Sequence, residues 1–237
     1  HTNIGAKHFR ELLDKIAFPL MISMVLAGAS VAGTRALYQN REFLNSFAAR
    51  NGRNRHDERV LYLTDTLFDR NGVSNSLSGK LRHIQQHDIA IDFLICHETA
   101  EAEPHLHITR PLAAFTLPDS GGQQLRIPDL MEVARLFYEG GYDRVVCSTE
   151  GPMVLVALFL KFKFNVPCHF FMHTDWIEYI RCTTKATRHE RDRVRRLLRL
   201  LYSQFDGVFV LNSDHQDWLT GNEMQLEPGR VFLTAHH

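Results

Sequence analysis

The sequence has no net charge: 27 Lys and Arg stand against 27 Asp and Glu over 237 residues. No global field draws it to nucleic acid or to an acidic partner. Cysteine is scarce. The four present (Cys96, Cys147, Cys168 and Cys182) form no CxxC pair. Three of them lie in or at the end of apolar runs, and the set is expected to be buried free thiols of a reducing cytoplasm. There is no GxGxxG and no lysine-containing P-loop, so the usual fingerprints of dinucleotide and triphosphate binding are missing. No signal peptide is visible. The longest uncharged run, Ala17 to Gly33, has 17 residues, at the lower edge of the ~20 that cross a bilayer. Glycines and serines dilute it and Pro19 sits near its start, so a buried helix is expected, with an interfacial or partner-packing helix as the alternative.

What is present is a change of grammar along the chain. Residues 6–50 look helical, with Phe9, Leu12, Leu13 and Ile16 on one stripe and a second helix expected over Thr34 to Ala49. The polar, basic stretch Arg50–Arg59 is a linker, which places a boundary near residue 55. Beyond it, short apolar strands alternate with helices. Strands are expected at 60–64, 89–96, 112–117, 144–148, 168–172, 207–211 and 230–233. Helices are expected at 74–86, 128–139, 152–164, 175–179, 187–203 and 213–220. This pattern predicts an α/β fold, a Rossmann-like doubly wound parallel sheet, preceded by an α-helical segment.

Ligands of such sheets bind outside the carboxyl ends of the strands. That rule selects "DTLFDRNGVS", "STEGP", "MHTDW" and "NSDH"; the opposite ends, "GGYDR", "FNVP" and "QFDG", look like turns. In "FDRNGVS", Gly72 precedes a helix start that could cradle a diphosphate, or the segment is an Asn-Gly turn with Ser74 as N-cap. Glu150 is either a carboxylate for substrate hydroxyls or a first-turn acid complementing the helix dipole. His173 can donate to a developing charge or move a proton, with Asp175 available as an N-cap two residues on. His97, His105 and His107 lie near Glu98, Glu101 and Glu103, and a solvated loop is preferred there over a metal site. The helix "RHERDRVRRLLRLLYSQ" has arginines beside one apolar face. It is a solvated helix packed on the sheet or a contact for anionic lipid headgroups; aromatic interleaving for nucleic acid is absent.

The segments "YLTDTLFDRNGVSNSL", "STEGPMVLVALFL", "PCHFFMHTDWIEYI" and "FDGVFVLNSDHQDWL" occur in an order and spacing that resemble the N-terminal domain of glycosyltransferase family 4, closest to its glycolipid mannosyltransferase and sulfolipid synthase-like branch. The similarity covers about residues 60–235. Family members are retaining enzymes of two Rossmann-like domains, the GT-B architecture. The resemblance implies that residues 56–237 are the acceptor-side domain, with residues 1–55 outside it. It implies that Asn71, Gly72 and Val73 meet the donor diphosphate and that His173 stabilises the transition state. It places Asp69, Glu150, Asp175, Trp176 and Tyr179 toward the acceptor. Phe68-Asp69-Arg70 stands where the family often has a proline-containing loop.

No metal or other cofactor is implied. The partners are a nucleotide-sugar donor and a hydroxyl acceptor, a lipid among the candidates, but not nucleic acid. Peripheral contact of helix 188–203 with the inner face of the membrane is a further expectation. The chain is expected to be inactive without a C-terminal donor domain. Two rivals remain: a nucleotide-binding Rossmann enzyme of another class, with Glu98 as its ribose-binding acid, and a non-catalytic module docking through residues 1–50.

Overall fold

The computed structural model describes residues 21–22, 24–35, 41–52, 58–68, 72–116, 124–175, 178 and 187–234. The chain divides into two units: His1–Asn54 with Phe162–Asn165, and Arg55–Lys161 with Val166–His237.

In the first unit, residues 24–35 are helical, and α1 spans Arg41–Arg50. The buried helix expected over Ala17 to Gly33 is not what forms. Met24, Val25 and Leu26 are 66%, 65% and 54% exposed, because no second apolar layer covers them among the described residues. No helix of the described residues is long and apolar enough to cross a membrane. Thr34 continues the first helical run and does not open a second; its hydroxyl donates to the Ser30 carbonyl one turn back at 2.7 Å.

The second unit is built on a seven-stranded sheet with the order β3-β2-β1-β6-β7-β8-β9. Its strands are β1 (Val60–Leu63), β2 (Ile91–Cys96), β3 (Leu106–Thr109), β6 (Arg144–Cys147), β7 (Cys168–Phe171), β8 (Gly207–Val210) and β9 (Val231–Leu233). Every pairing in it is parallel. The helices are α2 (Gly72–His87), α3 (Leu130–Glu139), α4 (Pro152–Phe164), α5 (Arg188–Tyr202) and α6 (Ser213–Thr220). A separate antiparallel hairpin pairs β4 (Pro111–Thr116) with β5 (Gln124–Pro128).

Both faces of the sheet carry helices. Side chains alternate along a strand, and Leu77, Leu81 and Ile84 of α2 pack on Tyr62, Phe93, Ile95 and Leu106 on one face. On the other face, Thr109 donates to Glu132 of α3 at 2.8 Å and the Cys168 thiol lies 3.7 Å from the Ala157 carbonyl of α4. This is the doubly wound arrangement that the alternating grammar predicts. Its direction of growth reverses between β1 and β6, which fixes the crevice where such folds take ligands.

Element ends differ from expectation for identifiable reasons. Helix α2 starts at Gly72, not Ser74, and Ser74 is no N-cap: its buried hydroxyl donates to the Leu67 carbonyl at 2.5 Å. Pro128 ends β5, and Asp129 caps α3 by accepting from Met131 N at 2.8 Å. The long helix keeps its expected place through a capping box between Thr187 and Glu190. The short helix expected over 175–179 lies largely outside the described residues. Cys96, Cys147 and Cys168 are free and buried, and burial pushes the Cys96 thiol up to about 12. Cys182 lies outside the described residues.

Candidate active site

The crevice between β1 and β6 is built around a carboxylate that the sequence reading did not select. Asp65 follows β1. Its amide donates to Thr149 Oγ1 at 3.0 Å, and the same hydroxyl donates to Asp65 Oδ2 at 2.6 Å. The amide of Met153, in the first turn of α4, lies 3.3 Å from both carboxylate oxygens. Asp65 therefore caps α4 from across the crevice and occupies the positive end of that helix. Gly151 is required here: a Cβ on it would stand 2.5 Å from Asp65 Oδ2. Its position next to a strand end was visible in the sequence. The partner 84 residues away was not.

Glu150 is held from the neighbouring helix. The phenol of Tyr202, at the end of α5, donates to Glu150 Oε1 at 2.7 Å. Tyr202 is 1% exposed; burial, then the Glu150 charge, push its pKa well up, so it stays a donor. This fixes one oxygen of a half-buried carboxylate at the mouth of the crevice.

His173 follows β7, and its ring lies 4.7 Å from that of Phe171. Asp175 accepts from the Glu178 amide at 2.9 Å, the N-cap geometry expected for it. Gly72 opens α2 with nothing within 4 Å of where a Cβ would lie, so the helix N-terminus can be approached closely. Val73 is partly buried against the core under α2. Topology thus sets Gly72 and Val73 (after β1), Glu150 (after β6) and His173 and Asp175 (after β7) at the carboxyl ends of three adjacent strands. Asp69, Asn71, Trp176 and Tyr179 lie outside the described residues.

The histidines of the acidic loop do not converge. His97 Nδ1 lies 3.2 and 3.1 Å from the amides of Thr99 and Ala100. His105 Nδ1 lies 2.9 Å from Asp92, and His107 Nε2 2.9 Å from the Tyr142 hydroxyl. His105 and His107 are not in a solvated loop; they flank and enter β3, a strand of the main sheet. Among the described residues, no group of three His, Cys, Asp or Glu side chains could hold a metal ion. Glu98, the acid a dinucleotide enzyme would need, is gripped by Arg126, whose Nε lies 3.0 and 2.8 Å from its two oxygens.

At the amino end of the sheet, a cavity of about 370 Å³ is lined by Arg59, His107, Glu132, Arg135, Glu139 and Tyr142, among others. Its central groups are bonded to one another around Asp92. Arg59 donates to Asp92 Oδ2 at 2.6 Å, and so does the Tyr142 phenol at 2.6 Å. Burial raises the Asp92 pKa, but the Tyr142 hydrogen bond and the Arg59 charge outweigh it and hold the carboxyl below its ordinary value.

Two solved structures resemble the chain. A glycosyltransferase from Rickettsia africae ESF-5 shares 7% identity at a TM-score of 0.45, over 76% of this chain and 43% of that one. A UDP-GlcNAc 2-epimerase from Neisseria meningitidis, bound to UDP-GlcNAc, shares 13% at a TM-score of 0.43, over 75% of this chain and 47% of that one. The chain thus spans less than half the length of either. No curated protein matches it. The family model described as Glycosyltransferase Family 4 matches residues 70–232, more than half of the sequence and every crevice segment described above from Gly72 on. The chain belongs to glycosyltransferase family 4.

Proposed function

We propose that this chain is the acceptor-side part of a retaining glycosyltransferase that moves a sugar from a nucleotide-diphosphate donor to a hydroxyl acceptor. The observation that carries the reading is the convergence at one switch point of an approachable helix N-terminus at Gly72, a positioned carboxylate at Glu150 and an imidazole at His173. Helix α2 offers unpaired amides and a partial positive charge to the departing diphosphate. Glu150, with one oxygen held by Tyr202, accepts from an acceptor hydroxyl. His173 lies beside the transferring sugar and donates to the charge that develops as the bond to the diphosphate breaks. No step needs a protein nucleophile, and retention then follows from departure and attack on the same face of the sugar.

The transfer is proposed for the enzyme as a whole, with this chain inactive alone, as a cytoplasmic protein resting on a membrane. A lipid acceptor, as in the glycolipid branch, is supported by α5. Its Leu197 and Leu200 are 66% and 63% exposed, beside exposed Arg193, Arg196 and Arg199. Arg188, Arg191 and Arg195 line a second cavity of about 540 Å³ at the start of the same helix. Apolar side chains framed by arginines suit an anionic bilayer surface.

The test is His173→Ala in the full-length enzyme. We expect kcat to fall at least about tenfold, equivalent to about 1.4 kcal/mol, with an unchanged melting temperature. An unchanged kcat would remove His173 from the mechanism.

A further inference from the structure

One flank of α2 faces the crevice and has no role in the mechanism above. Helical geometry places residue 80 on the same flank as residue 73, two turns further along. Gln85 lies on the opposite flank and donates to the Pro104 carbonyl at 2.9 Å, so that side faces β2 and β3. Lys80 turns the other way, and its Nζ stands 4.0 Å from the centroid of the Phe171 ring. Phe171 is the ring that stacks beside His173. Lys80 is half-buried, and burial pulls its pKa below that of an ordinary lysine. Among the described residues its ammonium has this ring and no carboxylate. A cation–π contact contributes about 0.5–2 kcal/mol; a charge-assisted bond to an oxyanion contributes about 1.5–3 kcal/mol and supplies the missing counter-charge.

The same face of the sheet holds buried hydroxyls without partners. Tyr62 pairs in register with Val146, and Val146 with His169, so Tyr62, Ser148 and Phe171 share the face that α2 covers. Tyr62 is 8% exposed and Ser148 3%. Their hydroxyls lie beside one another, yet neither makes a hydrogen bond among the described residues, and nor does Thr66 Oγ1. A buried hydroxyl left unpaired costs about 1–3 kcal/mol, and native proteins leave such groups where a ligand or an ordered water completes them.

We propose that the α2 side of the crevice is an oxyanion subsite, in which Lys80 Nζ binds a phosphate oxygen of a bound substrate and the hydroxyls of Tyr62 and Ser148 donate to its neighbours. This rests on the glycosyl-transfer reading of the same cleft and adds the side chains that hold the phosphate. The phosphate belongs either to the donor diphosphate or to the acceptor.

The 237-residue chain can be tested directly, since it has only six lysines and their signals are separable. Reductive ¹³C-methylation gives each lysine a resonance, and Lys80→Arg assigns the one of interest. Backbone amides of Gly72 and Val73 serve as the second reporter. The probes are inorganic pyrophosphate and glycerol 3-phosphate. The Lys80 signal should shift saturably with one of them. Lys80→Met should weaken that probe about tenfold and Lys80→Arg less than about twofold, with near-ultraviolet dichroism confirming the fold of both. Pyrophosphate moving Lys80 and Gly72 together assigns the donor; glycerol 3-phosphate moving Lys80 alone assigns the acceptor. If pyrophosphate moves the Gly72 and Val73 amides and Lys80 stays still with both probes, the subsite is wrong and the anion-binding loop survives. Silence of both reporters with both probes overturns the two together.

Discussion

The two ends of the sheet carry the same kinds of side chain and use them differently. At the amino end, Asp92, Arg59, Tyr142, His105 and His107 are bonded to one another in a closed set. At the carboxyl end, Asp65 and Glu150 are each pinned by one neighbour, Thr149 and Tyr202, while Gly72 faces open space. The amino end uses ionisable groups to fasten α3 and the β2–β3 connection to the sheet. The carboxyl end uses them to hold other groups in place around a crevice. Residue type alone does not separate these roles. Saturation of hydrogen-bonding capacity does.

The largest effect that would sharpen this contrast is on stability. Asp92→Ala leaves the Arg59 guanidinium and the buried Tyr142 phenol without their acceptor. We expect about 3 kcal/mol off the unfolding free energy in urea titration, with pyrophosphate binding to the folded chain unaffected. A loss of binding larger than the loss of folded protein would mean that the amino end is functional after all.

A smaller effect is expected at the crevice. Gly151→Ala drives a methyl group into the Asp65 carboxylate and pulls it off the start of α4. The cost should be about 1–2 kcal/mol, that of a lost N-cap. In an Asp65→Ala background the same substitution should cost almost nothing, because the clash and the cap disappear together. Additive costs in the double variant would break the assignment of Asp65 as the cap.

The smallest effect is on pH dependence. Burial holds the His107 pKa below its ordinary value, despite Asp92, and burial does the same for His169. The unfolded chain then binds more protons than the folded one as pH falls below about 6.5. Stability from these groups is present above that value and declines through the window down to their folded pKa. Asp92, with its depressed pKa, adds a further loss at lower pH, through the carboxylate range below about 3.9. His107→Gln should flatten the first decline, as read from melting temperatures at pH 7.5 and 5.5. An unchanged slope would show that His107 is not held neutral by the network.

How far the sequence reveals this depends on range. The bounds of α4 and α6 match expectation because their signals are local: Pro152 in the first turn of one, Asn212 as N-cap of the other, accepting from the His215 amide at 2.8 Å. The parallel sheet follows from the alternation of short apolar strands with helices. Strand β3 was missed because it has four residues, two of them facing solvent in part. Strand β5 was missed because only its pairing with β4 makes it a strand. At the site, Gly72, Glu150 and His173 were legible as strand ends. Asp65, Tyr202 and Lys80 were not, because each acquires its role from a partner far along the chain: Tyr202 from a residue 52 positions earlier, Lys80 from a ring in β7.

The central claim is that ligand binds at the carboxyl end of the sheet and not at the amino end. Hydrogen exchange with and without a nucleotide-diphosphate sugar, on the full-length enzyme, tests it in one measurement. Slower exchange at residues 72–76 and 148–153, with no change around Asp92, His105 and Tyr142, is the predicted result. Protection confined to the Asp92 end would contradict it.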